Sequence, residues 1–243
     1  MRGARAALAF LTRLPAGPLD SADFARAPGW FGIIGLGLGA LMAGAWFAAS
    51  ALWPPVIAAL VAVAVGLALT GGLHEDGLAD SFDGLGSGRP AERALEIMRD
   101  SRIGSYGALA LGLVLALRVA ALTALGPMAP VALIAGQGLS RAAMTLMLRA
   151  GPYLRPKGAG TGMTGPFGAR GALTLAAALA LGLGLIGWAA GWGGLTGLAG
   201  LGVMVLAMRR WAMRRLGGIT GDVLGAAQVL GDVGFLLGVL AWP

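Results

Sequence analysis

The chain has no cysteine and a single histidine, His74, among its 243 residues. Disulfides and thiolate metal sites are therefore excluded, as is any centre built from several histidines, so a metal here must be held by oxygen. Charge is scarce as well. Charged residues make up 12% of the chain, with 11 acidic side chains in all, whereas a soluble domain carries roughly 25%. Apolar residues fill the deficit: 57% of the chain is hydrophobic and the mean hydropathy is +0.80. This composition specifies an integral membrane protein. No polar stretch is long enough to build a separate core, so residues 1–243 read as one membrane-embedded domain. The 44 glycines suit close helix packing, because small residues let backbones approach where lipid supplies no hydrophobic drive.

The expected fold is all-α, a polytopic bundle of about seven transmembrane helices near 29–51, 54–71, 104–125, 129–148, 171–191, 194–209 and 223–241. The sixth segment is the shortest. Ahead of them, "MRGARAALAFLTRLPAG" starts like a signal peptide, but Arg13 interrupts its apolar run, so it reads as a retained helix on the membrane surface.

A net charge of +7 first suggests nucleic acid. Its distribution argues against that partner and for a lipid bilayer. With the N-terminus cytoplasmic, the outer connections "WPP", "GPMAP" and "GWGG" carry no charge. Apart from Arg118 and Arg141, the basic residues gather in the N-terminal segment and in or beside the inner loops 72–103, 149–170 and 210–222. The positive-inside rule thus predicts a multi-pass protein with its N-terminus and its chemistry on the cytoplasmic face. "MRRWAMRR" in the last loop reads as a topology anchor. Arg118 and Arg141, costly inside a span, must face protein or water, and Asp232 is a candidate partner for one of them. For Arg141, near the cytoplasmic end of its span, contact with a substrate phosphate stays open beside a structural pairing.

The acidic residues are not scattered. "GGLHEDGLADSFDGLGSG" (71–88) places Glu75, Asp76, Asp80 and Asp83 directly after an apolar span. Asp76, Asp80 and Asp83, spaced i, i+4, i+7, line one face of a helix, with Glu75 flanking it. Such stacked like charges require compensation at a membrane boundary. Hard divalent cations supply it, Mg²⁺ commonly through a few carboxylates and substrate phosphates, so the cluster predicts a metal-bridged phosphate. His74 reads as a supporting or structural residue. Farther on, "AERALEIMRD" looks helical, and Arg99, Asp100, Ser101 and Arg102 precede the next span. Two arginines beside a helix N-terminus make a cradle for phosphate. The glycine-rich basic loop 149–170 reads as a flap or a linker, and Asp222 as a helix N-cap.

Four motifs in order across most of the chain, "FLTRLP" (10–15), "GGLHEDGLADSFDGL" (71–85), "IMRDSRIGSYG" (97–107) and "LGGITGDVLGA" (216–226), resemble those of the bacterial cobalamin synthases, the adenosylcobinamide-GDP ribazoletransferases. The resemblance implies a Mg²⁺-dependent membrane transferase late in vitamin B12 assembly. Its substrates would be adenosylcobinamide-GDP and α-ribazole or its 5′-phosphate, and GMP would be released. It maps an acidic motif onto Glu75, Asp76, Asp80 and Asp83 as metal ligands, and an arginine motif onto Arg99, Asp100, Ser101 and Arg102. A last motif falls on Thr220 and Asp222. In this reading Arg99 and Arg102 steady the leaving GMP, and Asp83 or Glu75 takes the proton from the acceptor hydroxyl. Asp100, Ser101, Arg141, Thr220 and Asp222 contact substrate. Gln228 stands where an acidic residue is expected, which puts that position in question. A homo-oligomer remains open. Two rivals are a CDP-alcohol phosphotransferase, against which Asp80 stands where that family expects arginine, and a cation transporter, whose carboxylates belong in broken spans at mid-membrane.

Overall fold

The computed structural model describes residues 2–154 and 162–242, and among these it is helical throughout, with one isolated bridge between Tyr153 and Ile219 in place of any sheet. The first helix, α1 (Arg2–Leu11), buries Gly3, Ala6, Ala7 and Leu11. Their helical spacing turns one face inward, and Phe10 stacks on Phe31 with ring centroids 5.5 Å apart; a helix is present in the segment where the sequence predicts one. A four-residue helix, α2 (Ser21–Phe24), follows, closed by a capping box between Asp20 and Asp23.

Seven long helices coincide with the seven expected segments. They are α3 (Phe31–Ser50), α4 (Pro55–Thr70), α7 (Ser105–Leu125), α8 (Ala129–Leu148), α9 (Gly168–Ala190), α10 (Trp192–Leu216) and α11 (Gly221–Leu240), with α5 (Leu73–Gly86) and α6 (Ala91–Ile97) inserted after α4. By length and hydropathy five helical runs can cross a membrane, and a sixth if α4 and α5 count as one bent span. One of the five, Ser105–Leu148, is 44 residues long and doubles back at Gly126. Arg118 on α7 and Gly136 on α8 both lie against Asp232, which two points 18 residues apart on a straight helix, roughly 27 Å at 1.5 Å per residue, would not do.

Two apolar clusters mark the two ends of the bundle. Trp46, Ala58, Leu125, Ala129, Ile186 and Val239 share one, beside the uncharged turns. Leu11, Phe31, Leu78, Met98, Met147 and Ile219 share the other, beside the charged segments. Glycines supply the close approaches expected of them: Gly35 and Gly39 of α3 lie against the α8 backbone at Gln137 and Leu133.

The sixth segment differs from expectation. Helix α10 continues to Leu216, so "MRRWAMRR" lies in the helix rather than in the loop after it. Its arginines work locally: Arg209 donates to the Ala150 carbonyl at 2.5 Å and Arg215 to the Arg89 carbonyl at 3.1 Å. Cations at a helix C-terminus also meet the negative end of its dipole.

Candidate active site

The acidic helix owes its position to two glycines. Gly71 and Gly72 are both left-handed, with φ of +67° and +69°, a conformation that costs other L-residues roughly 1–2 kcal/mol each. They turn the chain by 88° between α4 and α5. Helix α5 then packs across α11 at two bare points, Gly77 against the Asp222 backbone and Gly225 against His74.

The four carboxylates of α5 do not converge on one point. Among the described residues no group of three or more Asp, Glu or His side chains has the geometry to hold a metal. Asp83 turns to α7. Its two oxygens accept the backbone N–H groups of Gly104 at 2.7 Å and Gly107 at 2.9 Å. The first turn of a helix has unpaired donors and a partial positive charge, and a carboxylate one helix away satisfies both. Glu75 turns into the bundle, where Arg118 donates to its Oε1 at 3.1 Å and to Asp232 at 2.6 Å. The i, i+4, i+7 spacing was read correctly, but it says nothing about which neighbour competes for each side chain.

Asp76 and Asp80 lie one turn apart on α5. Both line an open groove of about 620 Å³ with Arg13, Thr70 and Ser101, and Glu75 forms part of its wall. Asp76 also lines a second, apolar cavity of about 210 Å³, walled by Phe10, Phe31, Met144 and Tyr153 together with His74 and Asp222. Asp76 and Leu73 are common to both spaces. Asp76 is exposed.

The arginine motif is arranged differently from the expected cradle. Arg102 forks onto Asp100 within the loop, with contacts of 2.6–3.2 Å. The Arg102 hydrogen bonds, foremost, hold the Asp100 carboxyl down at about 2. Neither Arg102 nor Arg99, both exposed, lines the groove; Ser101 and Ile103 do. The groove's cation is Arg13, whose side chain packs over Gly71 and makes no ion pair among the described residues. In the sequence Arg13 interrupts an apolar run and falls within the motif "FLTRLP".

Arg141 is 2% exposed and lines neither space. It donates to the Gln137 side chain at 2.5 Å and approaches His74 Nδ1 at 3.3 Å. Its side-chain partners are thus neutral groups, and it makes no ion pair within 4 Å among the described residues. With Arg118, Glu75 and Asp232 it forms a buried set of two cations and two anions in which the charges balance. Asp232 partners Arg118, as one expectation had it. Gln228 donates to Ser140 at 2.9 Å, tying α11 to α8. Thr220, not Asp222, is the N-cap of α11, accepting from the Val223 N–H at 3.3 Å. Part of the glycine-rich loop, 155–161, lies outside the described residues.

Comparison with known proteins matches the cobalamin-5-phosphate synthase family profile over residues 3–240. The chain belongs to that family. Among similar curated proteins, the adenosylcobinamide-GDP ribazoletransferase of Azorhizobium caulinodans is 45% identical over 251 residues, covering 98% of this chain and 94% of the relative. Those of Bradyrhizobium diazoefficiens and Shewanella frigidimarina are 41% and 38% identical, covering 96% and 97% of this chain and 91% and 92% of theirs. No solved structure matches. As a member of the cobalamin-5-phosphate synthase family the chain is a multi-pass membrane transferase of cobalamin synthesis. Glu75, Asp76, Asp80 and Asp83 all lie within the matched span.

Proposed function

We propose that this protein transfers the adenosylcobinamide-phosphate group of adenosylcobinamide-GDP to α-ribazole or its 5′-phosphate, releasing GMP, at the cytoplasmic face of a bacterial inner membrane. The observation that carries the assignment is that one carboxylate, Asp76, borders both an open polar groove and a smaller, more apolar cavity. A transferase joining two unlike substrates needs such a shared wall, because the reacting atoms must be held about 3–3.5 Å apart.

The residues fit Mg²⁺, which takes one or two carboxylates and completes its shell with water and phosphate oxygens. Asp76 and Asp80 would hold it, and when bound it would neutralise charge on the diphosphate of the donor. Arg13 supplies a second positive charge to the same groove, and Ser101 a hydroxyl at its rim. The acceptor hydroxyl oxygen forms a bond to the phosphorus nearer the corrinoid, the phosphorus–oxygen bond to GMP breaks, and Asp76 takes the proton. This moves the base away from Asp83 and Glu75, whose oxygens are engaged by backbone N–H groups and by Arg118.

The rival reading as a cation transporter draws on the α4–α5 bend, which resembles a broken span. Against it, the one deeply buried carboxylate of α5, Glu75, is paired with Arg118 rather than facing a path. The test is incubation of the purified protein with GDP-activated corrinoid, α-ribazole and Mg²⁺. GMP and a ribazole-bearing corrinoid are expected; no GMP, with Mg²⁺ flux into vesicles instead, would favour transport.

A further inference from the structure

The apolar cavity beside Asp76 is not accounted for by diphosphate chemistry. A diphosphate needs cations and donors, which the open groove offers through Arg13, Thr70 and Ser101. The cavity instead is walled largely by Phe10, Phe31, Met144 and the Tyr153 ring, with polar groups from His74, Asp76, Asp222 and the Tyr153 hydroxyl at its edge. The Phe10 and Phe31 rings are nearly parallel, 9° apart in plane, so they offer flat surface. Backbone pairing of Leu154 and Pro152 with Ile219 fixes Tyr153 over the start of α11, its hydroxyl beside Gly221.

His74 supplies a second, independent observation. The ring is 2% exposed and lines the cavity. Its Nδ1 faces the Arg141 guanidinium at 3.3 Å. A guanidinium can only donate, so Nδ1 accepts and the ring proton sits on Nε2. That buried Nε2 has no hydrogen-bond partner among the described residues. An unpaired buried donor on a residue that lines a cavity points to a ligand acceptor within reach of a small ring movement.

We infer that this cavity is the acceptor subsite, taking the flat aromatic base of the nucleoside, with His74 Nε2–H donating to an oxygen or ring nitrogen of that nucleoside and its ribose hydroxyl presented to Asp76. The inference rests on the transfer reaction proposed above. Size agrees with chemistry: pockets for drug-sized ligands run roughly 300–1,000 Å³, so 210 Å³ suits a two-ring base and excludes a corrinoid, which is left to the open side. Methionine and aromatic walls grip a flat ring through dispersion and sulfur–aromatic contact. The two cavities thus separate the substrates by polarity and bring them together only at Asp76.

The experiment uses the full-length protein in detergent or nanodiscs, with α-ribazole and the GDP-activated corrinoid varied separately. Met144→Phe, which fills the cavity, is expected to raise the KM for α-ribazole about tenfold or more, as a steric change in a pocket commonly does, while the KM for the donor is unchanged. Phe10→Leu, a milder change on the surface helix, should move the same constant in the same direction. Calorimetric titration of α-ribazole into the wild type without donor or Mg²⁺ provides a readout independent of turnover: binding is expected, and His74→Gln should weaken it. A raised donor KM with an unchanged acceptor KM in either variant overturns the inference. So does α-ribazole binding that neither the Phe10 nor the His74 change affects. If the wild type binds α-ribazole at this cavity but releases no GMP, the transfer reaction fails and the cavity assignment stands.

Discussion

Arg118 on α7 donates to Asp232 on α11 at 2.6 Å, and the same guanidinium holds Glu75 on α5 at 3.1 Å. Three helices are thereby locked at the level where the acidic helix enters the bundle. Removing one member of a buried charge set costs about 3–5 kcal/mol, because the others are left uncompensated. Arg118→Met is expected to lower thermal stability in detergent sharply. Pairing it with Asp232→Asn and Glu75→Gln should recover part of the loss. A single variant as stable as wild type would show that the set contributes nothing.

Asp76 and Asp80 should separate from Asp83 by phenotype. Asp76→Asn is expected to lower kcat/KM by about 10²–10³, the range for removing a group that acts on charge in the transition state. Asp80→Asn should chiefly raise the Mg²⁺ concentration needed for half-maximal GMP release. Asp83→Ala instead removes the side-chain cap of α7 and should cost about 0.5–2 kcal/mol of stability, with turnover largely kept by the protein that remains folded. Steady-state kinetics beside a melting curve decides this. Loss of turnover at unchanged stability in Asp83→Ala would return that residue to the chemistry.

Arg13 lines the groove without an ion-pair partner among the described residues. Arg13→Ala should raise the KM for the GDP-bearing donor and leave that for α-ribazole unchanged, with a smaller effect at high salt because exposed charges are screened. Equal changes in both constants would argue for a structural role.

The Asp100–Arg102 fork is exposed, and Asp100 is held at about 2 by it, below the usual 3.8. A depressed carboxylate contributes order that is fully present above pH 3.8 and lost as pH falls through about 2. Between pH 5 and 9 the fork is therefore constant, and the pH profile of turnover should be the same in wild type and Asp100→Asn. Tryptic cleavage after Arg102 at pH 8 should be faster in Asp100→Asn. Equal cleavage would mean that the fork does not order the loop.

Gly71 and Gly72 make a matched pair. Both are left-handed, yet a side chain at Gly71 would also meet Arg13, whereas Gly72 faces open space. Gly72→Ala should cost roughly 1–2 kcal/mol. Gly71→Ala should cost more and also raise the donor KM by displacing Arg13. Melting curves and donor titration check both.

Much of this protein was legible in one dimension. Scarcity of charge and long apolar runs determine a helical membrane domain by themselves, because unpaired backbone groups cannot face lipid. The uncharged turns and the basic segments sort to opposite ends of the bundle, as the charge pattern along the chain requires. The spacing of Asp76, Asp80 and Asp83 placed them on one helix, α5. What the tertiary structure alone decided is how those carboxylates divide. Asp83 is taken by the bare N-terminus of α7, Glu75 by a buried arginine 43 residues away, and Asp76 is left where two cavities meet. Periodicity fixes the direction of a side chain around its own axis; which donor waits there depends on helices that arrive from elsewhere in the chain, and electrostatic competition at those contacts assigns each oxygen.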